Sequence, residues 1–313
     1  MSEINIVGDF YSNLELGDVS TFKNMILNLE GAATDTDFPV PQKICLKFDC
    51  DILKANLSKL NPALVTLANN HIYDFGEEGV TETIRLLDEL KIPYIGVNGH
   101  EYYTFQDVKI NDLPVRVYAG CCLSTHPFLG AQGPVTLESV KARIGDVDPA
   151  YFNILITHWG DEEIGFSKPS DIRDAKKLAT TFSLIIGHHG HVIQNSIYLG
   201  TNVHYLGIGN YIFDDLDIDV LGQNEKFIKR QNNANKKGLC VRITQAGVTP
   251  FVMIEGTVVR KYRNILGLYY LNDLFYDVFY KIYILKIKIV NFLDNPKAIS
   301  SEKIKRLFRD LLS

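Results

Sequence analysis

Histidine is concentrated in three short stretches of this 313-residue sequence. The stretches are Ala68-Asn-Asn-His71, His158-Trp-Gly-Asp-Glu162 and Gly187-His-His-Gly-His191, and together they contain five of the eight histidines. Three imidazoles within four residues, next to glycines, suit a loop of metal ligands better than a buried core. The spacing therefore predicts a metal site to which separate parts of the chain contribute.

Each of these stretches begins where an apolar run of strand type ends, and two acidic residues have the same position. Asp9 follows residues 4–8, and Glu30 follows residues 25–29. An open α/β sheet binds its ligands beyond the carboxyl ends of its strands. We therefore expect the two acids and the histidines to converge in the fold, although they are far apart in the sequence.

Neutral imidazoles and carboxylates together favour first-row divalent metals, namely Mn, Fe, Zn or Co. A bridging carboxylate can hold two such ions roughly 3.5–4 Å apart. Such a site generates hydroxide from water at neutral pH and stabilises the oxygens of an ester during displacement. The residue types thus predict one or two metal ions and a hydrolytic reaction.

Each residue also has an alternative interpretation without a ligand role. Asp9 and Glu30 could be turn or helix-cap acids, because each lies next to a glycine at a strand end. His71 could be a loop residue, and His158 beside Trp159 could be a partly buried core histidine. The other three histidines are interpreted as bystanders outside the site: His100, His126 and His204.

Composition excludes several classes of protein. The chain is 46% hydrophobic and 22% charged, which indicates a folded protein, and its net charge of -5 offers no positive field for nucleic acid. The five cysteines include no CxxC pair and are expected to be reduced thiols. The N-terminus has no features of a secretory signal, and no run of about 18 apolar residues could span a membrane. We therefore expect a cytoplasmic protein.

Alternating strand and helix patterns indicate an α/β layered fold. Strand-type runs cover 4–7, 63–67, 92–97, 115–119, 153–157 and 183–187, and helical patterns cover 77–91 and 171–182. A hairpin over 239–244 and 248–255 is expected to form an antiparallel edge. Apolar residues from Leu271 to Phe292 alternate steps of four and three, which predicts one long helix before Pro296 and a short one over 301–312. We divide the chain into a domain over 1–260 and a helical appendage over 261–313.

Taken in order, the motifs resemble the poly-gamma-glutamate capsule biosynthesis protein CapA family, a branch of the calcineurin-like metallophosphoesterase superfamily. The resemblance covers about residues 4–255. It is carried by Gly8-Asp9, Asn28-Leu-Glu30, Ala68-Asn-Asn-His71 with Asp74 and Gly76, His158-Trp-Gly-Asp-Glu162, Gly187-His-His-Gly-His191 with Gln194, and Gly209-Asn-Tyr-Ile-Phe213. It implies a four-layer αββα sandwich with the metal site at the rim between two sheets.

The resemblance also implies roles for individual residues. The implied metal ligands are Asp9, Glu30 as the bridging acid, Asn70, His158, His189 and His191. His71 is the implied proton donor or transition-state partner, with Asn70 beside it. Residues expected around the ligands or the substrate are Asn28, Asp74, Trp159, Glu162, His188 and Asn210. Tyr11 stands where the superfamily usually has a histidine, which leaves one metal position a ligand short.

These observations lead to two hypotheses about function. The first is a metal-dependent hydrolase of a phosphoester or amide bond, with metal-bound hydroxide as the nucleophile and a small molecule or polymer precursor as substrate. The alternative is a non-catalytic accessory protein of capsule or polymer assembly with a structural or vestigial metal site. The C-terminal helix could pack on its own domain, form a homodimer or lie on the anionic inner membrane surface. A nuclease is weaker, because the acidic charge balance offers no track for phosphates.

Overall fold

Among the described residues, strands and helices alternate between residues 47 and 188, and strands alone follow one another before and after this segment up to residue 261. The computed structural model describes residues 2–41, 43–97, 105–125, 134–199, 202–220, 226–262 and 273–294. The strands are β1 (Ile4–Tyr11), β2 (Met25–Leu29), β3 (Ala32–Ala33), β4 (Lys47–Phe48), β5 (Leu64–Thr66), β6 (Tyr94–Ile95), β7 (Phe105–Ile110), β8 (Leu113–Cys121), β9 (Phe152–His158), β10 (Leu184–His188), β11 (Ser196–Leu199), β12 (Asn202–Tyr205), β13 (Asn210–Phe213), β14 (Leu216–Asp219), β15 (Lys226–Lys229), β16 (Lys237–Thr244), β17 (Gly247–Ile254) and β18 (Thr257–Lys261). The helices are α1 (Cys50–Leu60), α2 (Gly76–Glu89), α3 (Leu137–Ala142), α4 (Pro169–Leu178) and α5 (Asp273–Asp294), with a 3-10 turn at Ile144–Asp146.

The larger sheet is centred on β1. Its order is β18-β17-β16-β1-β2-β5-β6, and β13 also pairs with β1. The strands β1, β2, β5 and β6 are parallel, whereas β16, β17 and β18 are antiparallel. All eight residues of β1 are buried, which explains its nearly continuous apolar sequence. The register places Asp9 of β1 opposite Asn28 of β2 and Asn210 of β13.

The smaller sheet supplies the histidines from the other side. Its order is β11-β12-β10-β9-β8-β7, with β8, β9, β10 and β12 parallel and the outer strands β7 and β11 antiparallel. His158 and His188 are the last residues of β9 and β10, and the register pairs them directly. The parallel strands of both sheets therefore place polar residues at the carboxyl edge of each sheet.

Three hydrophobic cores connect these elements into a mixed α/β fold. One core lies between the sheets and combines residues such as Ile6 and Val241 with Val117 and Ile186. A second covers the outer face of the larger sheet with α1 and α2. The third covers the smaller sheet with α3, α4 and α5. The apolar stripe of each helix thus packs on one sheet face.

Within the described residues, the predicted strands and helices are present, with ends that differ by a few residues. The predicted antiparallel edge is incomplete, because β16 pairs with the central β1 and the edge is formed by β18, which the sequence analysis did not predict. Helix α1 was also not predicted. Asp49 caps it by accepting hydrogen bonds from Asp51 N (3.0 Å) and Ile52 N (2.9 Å).

Helix α5 packs on its own domain, but not through the predicted heptad face. Phe275, Val278 and Ile282 of that face are exposed, whereas Tyr276 and Tyr280 are buried in the core shared with α4. A tyrosine ring can pack among apolar side chains while its hydroxyl bonds to a polar loop, and a pattern of aliphatic residues does not reveal this. Tyr276 donates to Ser167 O (2.8 Å), and Tyr280 donates to Asp161 Oδ2 (2.6 Å).

Parts of the sequence prediction fall outside the described residues. They are His100, His126, Leu271 and the short helix over 301–312. The boundary of a separate appendage at residue 261, where β18 ends, stays a prediction. Among the described helices, none has the length and apolar character that crossing a membrane requires.

We expect Gly8 to be required for the close contact between β1 and the segment before β13. A Cβ atom at Gly8 would lie 1.9 Å from Gly209 O, the same carbonyl that accepts a hydrogen bond from Asp9 N. Gly8→Ala should lower the free energy of unfolding by about 1–3 kcal/mol, as overpacking typically does. Urea denaturation measures this change. Gly17→Ala is the control, because nothing lies within 4 Å of its Cβ position, and equal stability of the two variants would contradict the expectation.

Candidate metal centre

The predicted ligands meet at the carboxyl ends of the two sheets. Their donor atoms form two groups, and within each group all atoms lie within 4.8 Å of one another. Glu30 belongs to both groups. The first group is Glu30, His158 and His189, and the second is Asp9, Glu30 and His191. The fold thus brings five separate ligand candidates together around one shared carboxylate, and all five side chains are buried.

Asp9 is held by hydrogen bonds to both of its carboxylate oxygens. It lies inside β1, at an irregularity in the register with β2 and β13, rather than just after the strand as expected. Asn28 Nδ2 donates to Oδ1 (2.7 Å), and the His189 backbone N donates to Oδ2 (3.1 Å). Thr66 Oγ1 donates to Asn28 Oδ1 (3.1 Å) and so orients the amide. Burial nevertheless raises the pKa of Asp9.

Glu30 is the least satisfied polar side chain at the site. It is fully buried, and neither carboxylate oxygen has a hydrogen-bond partner among the described residues. Burial, followed by the nearby Asp9 carboxylate, raises its pKa well above the ordinary value. His158 Nε2 and His191 Nε2 each lie 3.6 Å from Glu30 Oε1. An ionised Glu30 therefore requires a positive charge that the neighbouring side chains do not supply.

Three donor atoms lie beside Glu30 Oε1 on one side of the centre, which gives this side four ligand candidates. His158 Nε2 lies 2.6 Å from Asn70 Oδ1, 3.2 Å from His189 Nδ1 and 3.6 Å from Glu30 Oε1. Burial lowers the pKa of His158 well below its ordinary value and that of His189 to about 3. Both rings are therefore neutral at physiological pH, which is the state that binds metals.

The other side of Glu30 has Asp9 and His191. Asn210 Nδ2 donates to Asn235 O (3.0 Å), so its Oδ1 accepts from His191 Nδ1 (2.9 Å). This assignment leaves the lone pair of His191 Nε2 directed toward Glu30. Here the described side chains offer three ligands, one fewer than on the first side.

Tyr11 does not complete the second group. Its hydroxyl donates to Lys47 O (3.0 Å), and its ring packs against Phe48 and Phe213. Burial raises the pKa of Tyr11 to about 12, so a phenolate is not available at neutral pH. The two groups of ligands are consequently unequal.

The histidine loop after β10 has a strained backbone. His189 and His191 adopt φ angles of 81° and 52°, in the left-handed region that non-glycine residues rarely occupy. Such a conformation costs on the order of 1–3 kcal/mol per residue and persists where the surrounding structure requires it. Here it directs two successive histidines toward the same carboxylate.

These residues fit divalent metal ions. The orphaned oxygens of Glu30, the neutral buried imidazoles and the mixture of nitrogen and oxygen donors all match a first-row metal site. Ligands bonded to one ion at about 2.0–2.2 Å lie roughly 3–3.5 Å apart. The observed separations of 2.6–3.6 Å around His158 Nε2 are close to this range.

Beside the ligands, His71 forms part of a buried polar chain. His71 Nδ1 lies 2.6 Å from Asp74 Oδ2, which also accepts from Leu46 N (2.7 Å). Lys43 Nζ donates to Asp74 Oδ1 and to Asn70 O. Because Asp74 is an acceptor, His71 carries its proton on Nδ1 when the ring is neutral, and Nε2 is left for other partners.

Several residues at the site were not predicted from the sequence. Asn69 Oδ1 accepts from His71 N (3.0 Å) and Ile72 N (2.9 Å), and so shapes the turn that presents His71. Its position next to Asn70 was a usable signal. Lys43, Lys229 and Asn235 lie in stretches with no motif, so no local pattern identified them.

The remaining predicted residues lie around or outside this group. His188 is 3.8 Å from Asp9 Oδ1 and hydrogen bonds to the Val7 backbone, while burial lowers its pKa to about 3. Trp159 was expected near the ligands or substrate, but its indole lies in the outer core and donates to Leu206 O (2.9 Å). Glu162 is half-exposed and pairs with Lys229 at 3.3 Å. His204, interpreted as a bystander, accepts a hydrogen bond from Ile185 N (3.1 Å).

The sequence model of the bacterial capsule synthesis protein family PGA_cap matches residues 19–215. The chain belongs to this family. The matched segment contains Glu30, His158, His189 and His191, whereas Asp9 lies before it. The matched segment therefore includes most of the site residues and part of each sheet.

Named relatives are similar to parts of the chain. Capsule biosynthesis protein CapA of Bacillus anthracis is 27% identical over 168 residues, which are 48% of this chain and 40% of that protein. A probable polyglutamine synthesis accessory protein of Mycobacterium tuberculosis is 27% identical over 227 residues, covering 64% of this chain and 58% of that protein. The chain thus spans about half the length of the curated relatives it matches.

A solved structure of a hypothetical protein from Thermus thermophilus is also similar to this chain. It has a TM-score of 0.46 and 13% identity, and the match covers 83% of this chain and 98% of that chain.

Glu30→Gln should have two opposite effects: the metal-free protein should become more stable, and metal binding should be lost. A carboxyl whose folded pKa is raised stabilises the fold only below its unfolded value of 4.5, and this contribution is lost as pH rises toward the folded pKa. Relative to the wild type, the metal-free variant should become more stable as pH rises above about 4.5, because it has no carboxyl to ionise at this buried position. Urea denaturation with a chelator measures this difference.

In the same variant, added Mn²⁺ should no longer raise the melting temperature. Glu78→Gln is the matched control, because Glu78 is exposed on α2, and it should retain the stabilisation by metal. Manganese stabilisation of Glu30→Gln equal to that of the wild type would rule out Glu30 as a ligand.

Proposed function

We propose that this family member is a metal-dependent hydrolase that cleaves a phosphoester or amide bond in capsule or surface-polymer biosynthesis. The observation that carries the proposal is the pair of ligand groups sharing Glu30, with the His71–Asp74 pair beside them. The family assignment supports the link to capsule synthesis. The core between the sheets and the two outer cores support a four-layer αββα sandwich of metallophosphoesterase type.

The proposed ligands are Asp9, Glu30, Asn70, His158, His189 and His191. Bound divalent ions, of Mn, Fe, Zn or Co, would supply Lewis-acid activation of water and of the scissile group. Asn28 and Asn210 hold Asp9 and His191 in place through hydrogen bonds of 2.7 and 2.9 Å. Such outer partners fix the orientation of ligand side chains.

His71 is proposed to protonate the leaving group. Asp74 engages Nδ1 at 2.6 Å and fixes the ring, so in the doubly protonated form of His71 the proton on Nε2 is the one that can transfer in the cavity next to the ligands, which leaves a neutral ring protonated on Nδ1. Asp74 is itself held by Leu46 N and Lys43. These hydrogen bonds to Asp74 keep the His71 ring in one orientation, which proton transfer to a leaving group requires.

The substrate is proposed to be a small molecule or the precursor of a surface polymer. The relatives carry names that refer to capsule biosynthesis and to polyglutamine synthesis, so amide-linked polymers are candidates alongside phosphoesters. Bound metal ions would supply activation of water, and this chemistry suits both phosphorus and carbonyl centres. A cytoplasmic location stays part of the proposal.

A second candidate is an accessory protein that binds metal without catalysis. The Mycobacterium tuberculosis relative is named an accessory protein, and the Asp9 side of the centre offers one ligand fewer because the Tyr11 hydroxyl is bound to Lys47 O. The exposed residues Phe275, Val278 and Ile282 on α5 are available for a partner or a second copy in this case.

Two variants distinguish these candidates. His189→Ala should abolish both metal binding and turnover, whereas His71→Asn should retain metal and lower kcat by about 10²–10⁴-fold, as expected for loss of a general acid. The measurement is a screen of phosphomonoesters, phosphodiesters and gamma-glutamyl amides with Mn²⁺, together with elemental analysis of each protein.

His204→Asn is the matched control, because asparagine can still accept from Ile185 N at a buried position outside the centre. It should retain metal and turnover. Metal-bound wild-type protein without turnover on any of these substrates would favour the accessory protein. Full activity of His189→Ala would rule out the ligand assignment and this centre as the site of hydrolysis.

A further inference from the structure

A small cavity lies next to the proposed metal centre. It has a volume of about 190 Å³, and its wall includes Asn70, His71 and His191. Two lysines, Lys43 and Lys229, line the same cavity. They come from distant parts of the chain, because Lys43 precedes β4 and Lys229 is the last residue of β15. The fold therefore places two ammonium groups beside the ligands.

Both lysines are mostly buried, with side-chain exposures of 20% for Lys43 and 15% for Lys229. Each ammonium group has three N–H donors. Lys43 uses two on Asn70 O and Asp74, and Lys229 uses two on Glu162 (3.3 Å) and Glu163 (3.1 Å), among the described residues. One donor on each lysine is thus left for a ligand in the cavity.

The charge of Lys229 is maintained at this position. Burial lowers the pKa of Lys229, but Glu162 and Glu163 outweigh this effect and raise it. A buried ammonium with a free donor favours a negatively charged oxygen, because charge-assisted hydrogen bonds are the strongest polar contacts in proteins. Aromatic and aliphatic side chains such as Phe213 and Phe227 complete the wall and limit its size.

We propose that Lys43 and Lys229 form an oxyanion subsite that binds a carboxylate or phosphate group of the substrate beside the metal centre. The proposal rests on the proposed function, and it narrows the substrate to a molecule with an acidic group near the bond that is cleaved. The cavity is smaller than the roughly 300–1,000 Å³ typical of pockets for drug-sized ligands. It therefore suits a small molecule or the end of a polymer chain rather than its interior.

A substitution of Glu162 is expected to change anion affinity in the opposite direction to a substitution of either lysine. It lines the same cavity, and its carboxylate competes with a bound anion for Lys229. Removing its charge should therefore strengthen anion binding, whereas removing the lysine should weaken it. If Lys229 and Glu162 formed only a structural ion pair, loss of either partner would affect stability, and the two substitutions would not have opposite effects on anion binding.

The experiment is isothermal titration of the Mn²⁺-loaded protein with inorganic phosphate and, separately, with N-acetylglutamate. Lys229→Gln and Lys43→Gln should each weaken binding by about tenfold, the effect of losing one charged hydrogen bond. Glu162→Gln should strengthen it. Lys226→Gln, on the same strand but exposed and paired with Asp217, is the control and should bind as the wild type does.

The two probes distinguish the sources of the anion. Tighter binding of phosphate indicates a phosphate-bearing substrate, and tighter binding of N-acetylglutamate indicates a carboxylate. Because Lys43 supports Asp74, the fold of Lys43→Gln should be checked by circular dichroism. If Lys43→Gln is unfolded, the opposite effects of Lys229→Gln and Glu162→Gln on anion affinity decide the proposal. Unchanged affinity of Lys229→Gln for both probes would overturn it.

The titration also separates this inference from the proposed hydrolase. Binding that depends on Lys229 without any turnover supports the subsite and counts against the hydrolase. Turnover with a KM that is the same in Lys229→Gln and wild type supports the hydrolase and overturns the subsite. If both are correct, Lys229→Gln should raise KM more for substrates with a second acidic group than for neutral ones.

Discussion

The burial of the Glu30 carboxyl, without a hydrogen-bond partner among the described residues, is the constraint on which the rest of the structure depends. Its Oε1 atom lies 3.6 Å from the Nε2 atoms of both His158 and His191, and Asp9 is close enough to raise its pKa further. An isolated buried charge is too costly to persist in a protein interior. Only a cation among these donors, or protonation, resolves the cost. The arrangement of the surrounding strands is consistent with the first solution.

The two sheets supply this centre from opposite sides. The larger sheet carries Asp9 in its most buried strand and Glu30 directly after the next one, while the smaller sheet ends in His158 and continues into the loop with His189. Packing through a common core fixes the distance between the sheets. Side chains mounted on such rigid elements keep their geometry without the ligand. The strained histidine loop is tolerated because these contacts hold it.

Polar contacts extend from the centre toward the cavity. Lys43 bonds to Asp74 and to the Asn70 backbone, so one side chain connects a proposed ligand, the partner of His71 and the cavity wall. Lys229, which lines the same cavity, pairs with Glu162. Lys43 is therefore shared between the proposed anion subsite and the support of the proposed proton donor. Helix α5 contacts the loop that carries Glu162, through the bond from Tyr280 to Asp161.

The sequence by itself determined the strands that lead into the site, the helices α2, α4 and α5, and which acids and histidines would share one end of the sheets. Buried parallel strands are locally apolar, and polar residues at their ends have a predictable direction. Tertiary structure alone decided which side of Glu30 each histidine joins, where Tyr11 and Trp159 point, and that Lys43 and Lys229 line the same cavity. Those outcomes depend on contacts between residues far apart in the chain, and local periodicity carries no information about such contacts.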